Sequence, residues 1–223
     1  MEYFKSSKFY IIVSLVIGTL LLSVGFSAFS ETLTIVPTVE VSPDANTFNV
    51  GLSTSNSSIV DGSVSPTITY TSDYYNDKMV EATPATIDNT GEFSTISGLS
   101  VTFTEVGQSV TYTFYAYNSG KYPAYLKSVK FNNVEGKSSY KVCEAISGTT
   151  SADAEAACAN ISVNVSIAGT NYSSTNESIS GHTLLEELSD TIIVTISYSG
   201  DSNSDGDFYV EYGDISILYS SVE

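Results

Sequence analysis

Arginine and tryptophan are absent from this chain, and histidine occurs once, as His182, among 223 residues. Eight lysines face 25 acidic side chains, a net charge of -17, so the clustered cations that neutralise phosphates are missing and nucleic acid is not expected as a partner. One imidazole cannot supply a common zinc site by itself, and neither an H-E-x-x-H nor a G-x-S-x-G pattern occurs. A Ser-His-Asp arrangement would have to converge on His182, which reads instead as a solvent-exposed loop residue between Gly181 and Thr183. No catalytic residue and no enzyme activity are expected. The lack of tryptophan also weakens a sugar-stacking platform, although 16 tyrosines are present, among them Tyr74, Tyr75, Tyr115, Tyr117, Tyr122 and Tyr125. Tyrosine is in any case a good strand residue.

What is there begins with an address. Lys5 and Lys8 precede an apolar run from Phe9 to Phe26, after which the chain turns polar at Ser27. This pattern is that of a secretory signal, with Ala28 and Ser30 suited to a cut before Glu31 and Gly25 with Ser27 as a second choice. The run is also close to the roughly 18 residues of a membrane span, so residues 1–30 are read as a signal peptide or an amino-terminal anchor. Membrane attachment is expected only through residues 9–26, if they stay uncleaved. Removing Glu2, Lys5 and Lys8 from 25 acidic and 8 basic side chains leaves 24 and 6 on residues 31–223. The expected location is secreted or cell-surface.

Residues 31–223 read as one all-β domain, a two-sheet antiparallel sandwich of jelly-roll-like or Ig-like type. Short Thr-, Val-, Ile- and Tyr-rich runs alternate in polarity and are separated by Gly, Asn, Asp and Ser clusters. In Val110–Asn118 the inward set is Val110, Tyr112, Phe114 and Ala116, and in Thr191–Tyr198 it is Ile192, Val194, Ile196 and Tyr198. From Phe208 the inward positions are Phe208, Val210 and Tyr212, but beyond Gly213 they become Ile215, Ile217 and Tyr219. That change of parity predicts a β-bulge at the glycine. Further strands are expected over 32–41, 47–52, 66–71, 99–104, 125–132, 139–145 and 161–167. The Ser-, Thr-, Asn- and Asp-rich stretch 53–98 reads as a loop-rich insert of irregular strands. Ser151–Ala159, alanine-rich and capped by Ser151, is the one short helix expected.

Two cysteines in an exported chain predict a disulfide between Cys143 and Cys158. Asp201, Asn203, Asp205 and Asp207, with Gly206, spell the first half of a calcium loop, but the bidentate glutamate due at the twelfth place is replaced by Tyr212. These four residues are the candidate metal site, set against an acidic hairpin loop between two strong strands; calcium is the ion such a site would take and no other cofactor is expected. Leu33, Ile35, Val39 and Val41 share one parity just after the cut, with Pro37 between them, which fits a strand that pairs with its own sheet or completes the sheet of a neighbouring copy.

The ending Ala28-Phe29-Ser30-Glu31 after Gly25, and the block Gly107-Gln108-Ser109-Val110-Thr111-Tyr112-Thr113-Phe114 through Asn118-Ser119-Gly120, resemble the TasA and camelysin-type secreted matrix proteins of Gram-positive bacteria. The resemblance covers the export segment and two or three strands. It implies a jelly-roll-like sandwich, a dedicated signal peptidase and fibre assembly by donation of the amino-terminal strand. The cysteine insert and Glu31 in place of an aspartate depart from the pattern, and the protease activity attached to some camelysins finds no ligand set here. The expected function is a secreted, self-associating matrix or fibre subunit whose partners are other copies of itself and, during export, signal peptidase. The alternative is a monomeric adhesion or carbohydrate-binding module on an uncleaved anchor.

Overall fold

The longest alternating run in the sequence becomes the longest strand and organises the first sheet. A computed structural model describes residues 11, 14–17, 19, 48–70, 80–146, 148–199 and 207–222. Its strands, in chain order, are β1 (Val50–Ser53), β2 (Ser63–Val64), β3 (Thr67–Tyr70), β4 (Glu81–Ala82), β5 (Ala85–Asp88), β6 (Ser94–Ser97), β7 (Ser100–Phe103), β8 (Gln108–Asn118), β9 (Ala124–Phe131), β10 (Lys141–Ala145), β11 (Ile161–Ile167), β12 (Thr170–Tyr172), β13 (Thr183–Leu184), β14 (Ser189–Tyr198), β15 (Phe208–Tyr212) and β16 (Ile215–Ser220). A helix, Ser151–Ala159, lies between β10 and β11. Residues 43–223 form one unit and residues 1–42 another; in the latter the described residues are helical, with the Thr19 hydroxyl donating to the Leu15 and Val16 carbonyls.

The first sheet has the order β1-β8-β14-β11-β12, with β3 sharing the flank of β8 that β1 occupies. Inward positions are those the alternation assigns: Val110, Tyr112, Phe114, Ala116, Ile192, Val194, Ile196 and Tyr198 are all buried. Each such side chain withdrawn from water contributes about 2 kcal/mol against the entropy of ordering the chain.

The remaining strands form two ladders, β13-β9-β16-β6-β5-β2 and β10-β15-β7-β4. These are two halves of one layer. The chain runs directly from one ladder to the other four times, β4 to β5, β6 to β7, β9 to β10 and β15 to β16, and the neighbour order is the same in both. The layer is therefore creased along Thr83–Pro84, Gly98–Leu99, residues 132–140 and Gly213–Asp214. Pro84 lacks a ladder donor, and Gly98 sits at φ +77°, a left-handed conformation glycine adopts without a Cβ penalty. The layer packs on the first sheet through one core: Tyr198 lies 5.9 Å from Phe103 and 6.0 Å from Phe208, and the Tyr112 hydroxyl donates to the Thr83 carbonyl at 2.8 Å. The all-β, antiparallel sandwich with one helix in an insert is thus the observed fold.

Two local expectations change. The parity break at Gly213 is not a bulge within a strand: β15 and β16 belong to different ladders, and the chain turns from one to the other at Gly213. A Cβ there would fall on the Asn132 carbonyl oxygen and within 2.8 Å of that of Asn133, so the glycine allows two backbones to touch. The register shifts instead in the β16–β9 pairing, between Leu218 and Tyr219. The helix spans the predicted residues, but its cap is Thr150, whose hydroxyl accepts from the Asp153 amide at 3.2 Å, and not Ser151. In 53–98, β2 through β6 are built into the layers by pairing with β5, β8, β7 and β6.

Candidate functional site

The crease opens a cleft of about 560 Å3 on the outer side of the layer, and a second of about 320 Å3 adjoins it, sharing Thr83, Pro84, Ser100 and Tyr209. Strand pairing fixes what faces outward here. Glu144, Tyr209, Thr102 and Glu81 lie opposite one another in one cross-strand row, and Val142, Glu211 and Ser100 in the next. The wall is held by the Thr83 hydroxyl, which donates to the Gly98 carbonyl at 2.6 Å and lies 2.9 Å from the Ser100 hydroxyl. Glu135 and Asp214 join Glu211 in the larger cleft, and no lysine lines either one. Tyr212, buried behind it, has a hydroxyl with no partner among the described residues; burial, and the nearby Tyr140, push its ionisation far above the usual tyrosine range.

A second polar cluster joins the layers. His182 Nε2 lies 2.6 Å from Asp190 Oδ2, and the Tyr219 hydroxyl donates to the same oxygen at 2.7 Å. Asp190 opens β14 in the first sheet, whereas Tyr219 belongs to β16 in the creased layer, so one buried carboxylate spans the sandwich. Burial, then the charge and hydrogen bond of Asp190, raise the Tyr219 ionisation well above its ordinary value. His182 is therefore not the solvent-exposed loop residue the sequence suggests; its side chain is only 23% exposed and it is tied to Asp190. The sequence conceals this because eight residues separate the two, with β13 between them. A histidine paired to an aspartate is half of a catalytic arrangement, but here the carboxylate oxygen is shared with the Tyr219 hydroxyl across the two layers, and the group reads as a structural clip.

Cys143 and Cys158 are joined, across a sequence separation of 15. The bridge anchors the carboxyl end of the helix to β10. Beside it, Lys141 Nζ donates to the Cys158 and Ile161 carbonyls at 2.5 and 2.6 Å. A cation thus meets the negative end of the helix from a neighbouring strand, and burial lowers the lysine ionisation.

Other candidates fall elsewhere. Asp201, Asn203 and Asp205 lie outside the described residues; Asp207 is described and half-buried, its carbonyl accepting from the Ile146 amide at 3.1 Å. The acidic segment containing them is not a hairpin loop, because β14 and β15 lie in different sheets. Among the described residues no three His, Cys, Asp or Glu side chains are placed to hold a metal ion. Leu33, Ile35, Val39 and Val41, like Tyr74 and Tyr75, are also outside the described residues. Tyr115 and Tyr117 share the outer face of β8, while Tyr125 lies on β9 in the other layer, so these rings form no common platform. Tyr209 and Glu211 are not among the candidates the sequence singles out, although their outward parity in Phe208–Tyr212 is legible; what the strand by itself does not supply is their neighbours across the crease.

No helix among the described residues is long and apolar enough to cross a membrane, and the disulfide is compatible with an extracellular protein. No protein-family model matches the chain, and no curated protein and no solved structure matches it either.

Proposed function

We propose that this protein is a secreted, cell-surface structural subunit that works by self-association, with no reaction to catalyse. The export pattern of residues 1–30, the resemblance of its ending to TasA and camelysin-type signal peptides, and the Cys143–Cys158 bridge support the address. The observation that carries the association is the state of the sheet edges. The flank of β9 is covered by the segment that leads into β13: Val129 bridges Asn176, and the Ile179 amide donates to the Lys127 carbonyl at 2.9 Å. Among the described residues the outer flank of β8 is covered in two pieces, β1 against residues 115–118 and β3 against residues 108–111. Residues 112–114 have no described strand on that side, and at the other end of the sheet β12 is three residues long and covers only residues 165–167 of β11. Such short or split edges leave backbone groups for a strand from another chain.

Glu31–Val41, with Leu33, Ile35, Val39 and Val41 on one parity, is the segment we assign to the exchange. Light scattering and electron microscopy of residues 31–223 should find assemblies, and deletion of Glu31–Val41 should leave a folded monomer. Assemblies that persist after the deletion would overturn the assignment.

A further inference from the structure

We infer that the double cleft at the crease binds a cationic amino sugar, as successive units of a glucosamine oligomer. This goes beyond self-association and stands whether or not copies of the chain join. The cleft presents three kinds of group together. Glu135, Glu211 and Asp214 line it, and none of these carboxylates has a hydrogen-bond or ion-pair partner among the described residues. Lys137, the cation of the same connecting loop, is exposed and is not part of the lining. An ammonium group is the complement to such a wall. Hydroxyls follow: the Thr83 proton goes to the Gly98 carbonyl and the Ser100 hydroxyl lies 2.9 Å from Thr83, so these two oxygens are acceptors for sugar hydroxyls, and Thr102 adds a further hydroxyl on the adjoining row. The third element is Tyr209, half-buried between the two clefts and shared by both, a ring face against which a pyranose can lie. Lysine side chains of a basic peptide would answer the carboxylates but would leave the hydroxyl row and the ring without a purpose.

The geometry also suits a repeating ligand, since the clefts of about 560 and 320 Å3 are contiguous through Thr83, Pro84, Ser100 and Tyr209. The wall is already ordered without ligand: Thr83 is bonded through its amide to the Ser100 carbonyl, through its carbonyl to the Tyr112 hydroxyl and through its own hydroxyl to Gly98. Binding then costs little ordering of the site.

The test is calorimetric titration of residues 31–223 with short glucosamine oligomers, N-acetylglucosamine oligomers of equal length, and oligolysine. The glucosamine oligomer should bind, less tightly as salt rises, and about tenfold or more tighter than the acetylated one, because acetylation removes the ammonium. The double variant Glu211→Gln, Asp214→Asn should weaken binding about tenfold or more, and Tyr209→Ala should weaken it with the net charge unchanged. A control that removes the same two charges from distant exposed sites, Glu92→Gln with Glu155→Gln, should leave the affinity unchanged, which separates the cleft from the bulk field of an acidic protein. Thermal melts show whether each variant is folded. No binding, equal affinity for the acetylated oligomer, binding of oligolysine alone, or equal losses in the cleft and control variants would each overturn the inference.

Discussion

Lys141 donates to the Cys158 carbonyl at 2.5 Å, beside the disulfide that joins Cys158 to Cys143. A half-buried ammonium and a covalent bridge therefore secure the same helix end to the same strand. Replacing Lys141 by Met keeps the aliphatic stem and removes both carbonyl contacts. We expect a loss of about 1–3 kcal/mol in denaturant titration, because the Cys158 and Ile161 carbonyls lose a charged donor. An unchanged midpoint would show that water replaces the ammonium without cost.

Reducing the bridge should act on the same region through the unfolded chain. A closed loop of 15 residues corresponds to roughly 3 kcal/mol in the chain-entropy model, or about 6–12 °C in melting temperature for a protein of this size. Scanning calorimetry with and without reductant measures it.

His182→Ala should destabilise the protein, contrary to what an exposed loop histidine would do. The variant leaves Asp190, 8% exposed, with Tyr219 as its remaining side-chain partner. The expected loss is about 1–3 kcal/mol. A neutral result in chemical unfolding would mean that the histidine only covers the clip.

Gly213→Ala should cost about 1–3 kcal/mol, because the new methyl meets the Asn132 and Asn133 backbone and one of the two chains must move. Gly136→Ala, in the same crease, meets nothing within 4 Å but carries φ +72°, so its cost is about 1 kcal/mol of backbone strain. Comparing the two midpoints separates steric contact from backbone conformation.

Alkaline pH should unfold the protein. Burial pushes the Tyr112 hydroxyl up to about 12 and raises those of Tyr172, Tyr212 and Tyr219 above the ordinary value of 10.0. The unfolded chain then loses these protons first, so the folded state holds more protons and stability falls as pH rises beyond about 10. Lys141 acts in the opposite sense: its lowered ionisation makes the unfolded chain hold a proton longer, which favours folding as pH rises toward 10.5. One lysine against several tyrosines gives a net loss. Denaturant midpoints from pH 9 to 12, read beside tyrosine absorbance, should fall as a late-ionising class of tyrosines appears with unfolding.

The faces of the strands are legible in the sequence alone, because a period of two is a local property: Val110 to Ala116 and Ile192 to Tyr198 announce their own inward side. The helix and the cysteine pair are legible for similar reasons, composition and scarcity. At Gly213 the same local pattern points to the right residue and the wrong cause, since parity reverses equally for a bulge and for a strand that passes from one ladder to another.

What the amino-acid order determined unaided is therefore which side chains point inward and where the chain must turn. Which strands become neighbours was decided only by tertiary packing, as was everything that depends on it: the crease, the grouping of Tyr209, Glu211 and Asp214, and the bond between His182 and Asp190. The physical reason is range. Burial pattern is set by residues two apart, whereas pairing in an antiparallel sandwich is a competition among many similar Thr- and Val-rich strands. That competition is settled by how all of them fill one core at once.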